Sequence, residues 1–123
     1  MGKFVMIRSE KGFRFNLRAV NGEIIAVSEV YTTAKACRNG IASVVRNAPA
    51  AALEDQTQEG FKKEKHPKFD MYTDKAGQFR FRLKATNGEI IAASEAYTTA
   101  AGCKNGIESV RTNSKDAVIV AGE

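Results

Sequence analysis

Arg14 and Arg18, with Asn16 between them, alternate with Phe13, Phe15, Leu17 and Ala19. The same rhythm returns 66 residues later, where Arg80, Arg82 and Lys84 alternate with Phe79, Phe81, Leu83 and Ala85. A period of two that sorts apolar from basic side chains describes a half-buried antiparallel strand with a cationic outer face. The chemistry open to these cations is electrostatic. Guanidinium and ammonium groups in a row can hold an anionic polymer such as nucleic acid, with an affinity that falls steeply with salt. The bland counterpart is a solvated face on which Arg and Lys discourage edge association and aid solubility. Sheets that read RNA place stacking aromatics on the open face beside the charges. Here the phenylalanines segregate to the other side, and only Tyr72, out of phase with Phe69 and Met71, belongs outside. Binding of nucleic acid by this face is therefore expected to be weak and indifferent to sequence.

A second group of reactive types is Ser28, Glu29, Tyr31, Thr32 and Thr33, repeated as Ser94, Glu95, Tyr97, Thr98 and Thr99. Serine beside glutamate and tyrosine suggests acid–base work, yet no histidine or lysine recurs to activate a nucleophile. Threonine caps of a helix, with Tyr31 and Tyr97 as N-terminal staples, account for the same residues. Cys37 and Cys103 occupy one position of the two copies, form no CxxC pair, and have no nearby histidine; His66 stands before Pro67. Zinc needs about four well-spaced N or S ligands, so no metal site is expected. On an apolar stripe the two cysteines act as small hydrophobes, and a redox pair between them would need close Cα atoms. Gly-rich phosphate loops, paired catalytic carboxylates and HExxH helices do not occur. The expectation is a protein that is not an enzyme, with no catalytic residues and no cofactor.

These residues recur because the chain is a tandem duplication: residues 13–47 and 79–113 are identical at 24 of 35 positions. A unit of this size is marginal alone, since it buries too little apolar surface to offset ordering entropy. Two units sharing one core, a single pseudo-twofold domain over 1–123, is the economical arrangement. Repeat one is read as 1–53, a charged connecting segment as 54–68, and repeat two as 69–123. Each repeat opens with strands at 4–8 and 13–19, or 69–73 and 79–85. Asn21-Gly22 and Asn87-Gly88 follow between apolar runs and predict type I′ hairpin turns. Third strands at 23–27 and 89–93 complete a meander. The period then changes: Ala34, Cys37, Ile41 and Val44, and likewise Ala100, Cys103, Ile107 and Val110, mark the apolar stripe of an amphipathic helix. Asn39-Gly40 and Asn105-Gly106 would ordinarily signal turns, but the stripe continues in register across both. A glycine there costs about 1 kcal/mol of helix propensity, tolerable where the helix must approach the sheet closely. Thr32 or Thr33, and Thr98 or Thr99, are positioned to cap these helices, and the residue before Pro49 ends the first. A last strand follows each helix. Residues 117–121, with Val118-Ile119-Val120, read as a buried strand; the alanine-rich 50–53 is the weaker version.

The blocks FRFxLxAxNGEIIAxSExYTTA and CxNGIxSV, present in both copies, resemble the YegP-like family of small uncharacterised bacterial proteins, over nearly the whole chain. The resemblance implies an α+β fold in which both units join one antiparallel sheet, helices on one face and C-terminal strands exchanged between units. Family members are similar in being tandem repeats or single repeats that dimerise, so a monomer is expected here. The resemblance brings no activity with it.

Composition bounds the rest. The chain carries a net charge of +5, and 43% of its residues are hydrophobic, an ordinary globular balance with a mildly basic surface. No apolar run approaches the roughly 18 residues of a membrane span, and residues 4–7 are too short for a signal-peptide core. A cytoplasmic location without membrane contact is expected. For function, the reading is a non-enzymatic binding or accessory module whose basic face meets an anionic partner. The alternative is a self-association or scaffold module without a ligand.

Overall fold

A strictly alternating strand between two apolar ones, separated by glycine-containing turns, gives each repeat a three-stranded meander, and the 3.6-residue stripe that follows gives a helix. The computed structural model describes residues 2–122. Repeat one contributes β1 (Lys3–Ser9), β2 (Gly12–Arg18), β3 (Ile24–Val27), α1 (Ala34–Asn47) and β4 (Ala52–Asp55). Repeat two contributes β5 (Lys68–Thr73), β6 (Phe79–Lys84), β7 (Ile90–Ala93), α2 (Ala100–Ser114) and β8 (Val118–Ala121). The eight strands form one sheet in the order β4-β5-β6-β7-β3-β2-β1-β8. The last strands are exchanged: β4 lies beside β5 of the other repeat, and β8 beside β1. Both exchanged strands run parallel to their neighbours, so the sheet is mixed rather than wholly antiparallel. The reason is topological. Parallel neighbours cannot be joined by a tight hairpin: β4 reaches β5 through the long segment 56–67, and β8 meets β1 from the far end of the other repeat.

The core lies between the sheet and the two helices. Phe4, Phe15 and Leu17 of repeat one, and Phe69, Phe81 and Leu83 of repeat two, are fully buried with Cys37, Ile41, Val44, Cys103, Ile107 and Val110. Phe4 meets Phe15 edge-on at 5.7 Å, and Phe69 meets Phe81 at 5.9 Å, an arrangement that suits the ring quadrupoles. The halves are not separate beads. α2 packs on β6 and also on β2 and β3, and α1 packs on β2 and β7. At the seam β3 and β7 share a single registered pair, Val27 with Ala93, so the repeats are joined by the common core and by the backbone ladders of the exchanged strands.

Three local expectations are corrected. The Asn-Gly turns are not type I′, which needs positive φ at both residues. Among the described residues Gly22 (φ 88°) and Gly88 (φ 83°) are left-handed while Asn21 and Asn87 are not. Gly22 N–H donates to Ala19 O at 2.9 Å, and Asn21 Oδ1 accepts from Glu23 N–H at 3.0 Å. A four-residue turn closing on a left-handed glycine, with a bulge at Leu17/Arg18, uses the asparagine through its side chain. Second, β8 is a strand but not a buried one: Val118, Ile119 and Val120 are 59%, 49% and 37% exposed, because they form the outer edge of the sheet. Third, Tyr31 and Tyr97 are not N-terminal staples. Each ring stacks on a core phenylalanine, 6.3 Å from Phe15 or Phe81, and lies against Gly40 or Gly106, where a Cβ would approach the ring Cζ to 2.7 Å. Thus the helical Asn-Gly pairs are explained: the glycine is the space the tyrosine occupies. Thr33 and Thr99 are the caps, accepting from Ala36 and Gly102 N–H.

Candidate functional site

The open face of the sheet carries the cations, and the strand register arranges it in rows. One row crosses the whole sheet: Glu54, Asp70, Arg82, Ala93, Val27, Asn16, Val5 and Val120. The pseudo-twofold axis passes between Ala93 and Val27, so Glu54 corresponds to Val120, Asp70 to Val5, and Arg82 to Asn16. The next positions along the strands read Ala52, Lys68, Lys84 and Ile90 in repeat two. In repeat one they read Val118, Lys3, Arg18 and Ile24. Both repeats therefore set two cations side by side, and only repeat two supplies carboxylates among them.

In repeat two the charges are paired within the sheet, although both Asp70 carboxylate oxygens and Arg82 Nε are buried without a hydrogen bond. Asp70 is fully buried, with Lys84 Nζ at 2.8 Å, Lys68 Nζ at 3.4 Å and Arg82 Nε at 3.8 Å. Arg82 also lies over the Tyr72 ring at 4.6 Å, so the outward tyrosine is covered. Glu54 accepts from Lys68 at 2.8 Å, from Gln56 at 2.6 Å and from Glu64 N–H at 2.7 Å. Burial would raise the Glu54 pKa, but those donors, Lys68 foremost, bring it down to about 2. The hydrogen bond to Glu54 in turn holds Lys68 above the usual lysine range. Arg80 pairs with Asp74 at 2.7 Å, and its guanidinium keeps that carboxyl low. Glu54, Asp55 and Lys68 thus belong to the sheet, and the connecting segment shortens to residues 56–67.

Repeat one lacks this compensation. None of the ion pairs among the described residues involves Lys3, Arg14 or Arg18. Arg18 Nε donates to Asn16 Oδ1 at 3.1 Å, and Arg14 is exposed. Lys3 and Arg18 flank a depression of about 340 Å³ floored by Val5, Ile7 and Val120. Of the five cations read from the sequence, the structure gives Arg14 and Arg18 no carboxylate among the described residues and commits Arg80, Arg82 and Lys84 to partners. The two sets do not form one cluster, because β3 and β7 lie between them with Ile24, Val27, Ile90 and Ala93 on this face. Sequence reasoning missed Lys3, which falls just before the strand it was given. It also missed Asp70, whose alternation with Phe69 and Met71 places it beside the cations.

The Ser-Glu-Tyr-Thr segments are structural in both repeats. Ser28 Oγ accepts from Phe15 N–H at 2.9 Å and donates to Glu29 O at 2.7 Å; Ser94 does the same with Phe81 and Glu95. Each hydroxyl extends the β2–β3 or β6–β7 ladder where the strands part. Desolvation raises the pKa values of Tyr31 and Tyr97. Cys37 and Cys103 are buried free thiols, also raised by burial, Cys103 to about 11, which disfavours the reactive thiolate. No group of three or more potential metal ligands occurs among the described residues, and no helix is long and apolar enough to cross a membrane.

Comparison with known proteins agrees with the duplicated architecture. The family model described as "Domain of unknown function (DUF1508)" matches twice, at residues 9–55 and 74–120. A UPF0339 protein of Treponema denticola is 62% identical over 53 residues, 43% of this chain and 91% of that protein: a relative one repeat long. The UPF0339 protein YegP of Escherichia coli K12 is 38% identical over 105 residues, 85% of this chain and 82% of its own length. A Bordetella pertussis relative is 40% identical over 116 residues, 94% of this chain and 91% of that protein. The solution structure of E. coli yegP, described as a protein of unknown function, superposes with a TM-score of 0.79 at 34% identity, covering 98% of this chain and 92% of that one. A Shewanella oneidensis UPF0339 structure gives 0.78 at 33%, covering 98% and 90%. With both domain matches in register with the two structural repeats, the chain belongs to the DUF1508 (UPF0339, YegP-like) family as a tandem-repeat member.

Proposed function

We propose that the protein is a non-enzymatic, cytoplasmic binding module that takes up an anionic partner on the repeat-one half of its open sheet face. Lys3 and Arg18 form the centre and Arg14 an extension. The observation that carries this is the broken pseudo-symmetry. Like charges directly opposite each other on adjacent strands are unfavourable. Lys68 and Lys84 are relieved by Asp70 and Glu54, whereas Lys3 and Arg18 face Val5 and Val120. An external carboxylate or phosphate would stand where the other repeat keeps its own. Two buried free thiols suit a reducing compartment.

Fluorescence anisotropy with single-stranded RNA, duplex DNA and polyglutamate, titrated from low to physiological salt, tests this. Binding of at least one polymer should weaken steeply with salt, vanish in Arg14→Glu/Arg18→Glu, and survive Arg80→Glu. No salt-dependent binding to any of the three, or equal losses in the two variants, would overturn it.

A further inference from the structure

The two ends of the sheet are related by the internal twofold, yet they are finished differently. At the β4 edge Glu54 and Asp55 are tied in: the connecting segment bonds both carboxylates through Gln56, Glu64 and Thr57, and Lys104 lies 3.7 Å from Asp55. At the β8 edge the corresponding residues are Val120 and Ala121, and Arg38 replaces Lys104. Beyond Lys3 and Arg18 on the open face, Arg8 and Arg38 line a second depression on the helix face. It is about 370 Å³, walled by Met6, Phe13, Ala34 and Ile119. Neither Arg8 nor Arg38 is in an ion pair among the described residues. So β8 is a short, exposed, apolar edge strand with a groove on each side and cations bordering both grooves.

The backbone of that edge is also available. Gly122 N–H donates to Met6 O, which fixes the phase of β8. Residues 118, 120 and 122 direct their N–H and C=O toward β1, and Ile119 and Ala121 direct theirs outward. A strand laid against β8 would meet these groups and send alternate side chains into the two grooves. Native proteins usually blunt such an edge with charge or cover, as this protein does at β4.

We propose that the β8 edge docks an extended acidic segment of a partner protein as a ninth strand. Its apolar residues would rest on Val118, Ile119 and Val120, and its carboxylates would face Lys3/Arg18 on one side and Arg8/Arg38 on the other. The inference rests on the anion-binding reading only through Lys3 and Arg18; the edge backbone, Arg8 and Arg38 are additional to it. Charge selects the occupant. A second copy pairing β8 with β8 would bring two sets of these arginines and lysines together, which like-charge repulsion opposes. A nucleic acid could not use the outward amides and the apolar strand together. Lys3 and Arg8 lie five residues apart on opposite faces of β1, so a complementary strand carries its acids at that spacing around an apolar centre.

The test uses the full chain and the synthetic octapeptide SEVTVTES, with SKVTVTKS as its charge-reversed control. The acidic peptide should shift the amide resonances of residues 118–122 and slow hydrogen exchange at Ile119 and Ala121. The control should bind at least about tenfold more weakly. Ile119→Pro removes one outward donor while leaving the bonds to β1, and it should abolish peptide binding while polyglutamate or nucleic-acid binding by the open face persists. Ile119→Ala, which keeps the donor, should retain most of the peptide affinity. Peptide shifts confined to Lys3, Arg14 and Arg18 with no protection in β8 would overturn the edge proposal and leave the anion-binding reading standing. Absence of peptide binding would also overturn it, as would a dimer by ultracentrifugation that Ile119→Pro dissolves.

Discussion

Replacing Asp70 with valine imports the repeat-one residue into repeat two and tests the link between internal neutralisation and anion binding. Asp70 is wholly buried among Lys68, Arg82 and Lys84, whose side chains are 10%, 34% and 23% exposed. Removing one member of a fully buried ion pair costs about 3–5 kcal/mol because a buried charge is left behind. Here the three cations retain some access to water and can turn outward, which reduces the loss to about 2–3 kcal/mol. An unfolding entropy of roughly 2.1 cal/mol/K per residue makes each kcal/mol worth about 4 °C in a chain of this length, so Tm should fall by about 8–12 °C. Circular-dichroism melts at pH 7 measure it. The double variant Asp70→Val/Arg82→Asn reproduces the Val5–Asn16 pair and should recover part of the loss. The single variant should at the same time bind polyanions more tightly, with a salt dependence steeper by about two or three released ions. A Tm change under about 2 °C, or unchanged polyanion binding, would refute the idea that Asp70 occupies the place of an external anion.

Two further outcomes follow from the packing and the charge network. Gly106→Ala should destabilise by about 1–2 kcal/mol, overpacking against the Tyr97 ring outweighing the roughly 1 kcal/mol gain in helix propensity. In a Tyr97→Leu background the same change should be neutral or stabilising, which urea denaturation would read. Glu54 is held at about 2 in the folded chain against an ordinary 4.5. Its stabilisation is therefore complete above about pH 4.5 and lost as pH falls through 2. Urea midpoints of the wild type and Glu54→Gln should differ at pH 7 and converge toward pH 2. Lys68, raised by the same hydrogen bond, stays protonated throughout that window, so the loss follows the protonation of Glu54.

Most of the architecture was legible because local patterns and the fold agree. Phe13 to Ala19 alternate as a half-buried strand must, and the stripe through Cys37, Ile41 and Val44 carried the helix correctly across Asn39-Gly40. What propensity could not show was why the glycine is there: the answer is the ring of Tyr31, nine residues away in sequence. Val118-Ile119-Val120 read as buried because apolar residues at consecutive positions suit a strand covered on both faces. Position at the edge, set by the exchange, overrode that pattern. The cationic face was half legible. Alternation located Arg14, Arg18, Arg80, Arg82 and Lys84 on one side, but whether a cation is satisfied depends on cross-strand neighbours. Glu54 reads locally as part of a charged connector, and its parallel register beside Asp70 is a long-range fact.

The reciprocal exchange of last strands has a consequence for how the molecule is made. Lys3 is in register with Val118 and Met6 with Ala121, so β1, made at the start of repeat one, waits for β8, at the end of repeat two, before its own edge is closed. Such distant pairing slows folding, since a large loop must close before the contact rewards it. Until residues 118–121 emerge, the nascent first half holds β1 with an open flank, and β4 has no neighbour until β5 is translated. The protein is therefore expected to acquire its structure as a whole, once both repeats have been made, rather than half by half.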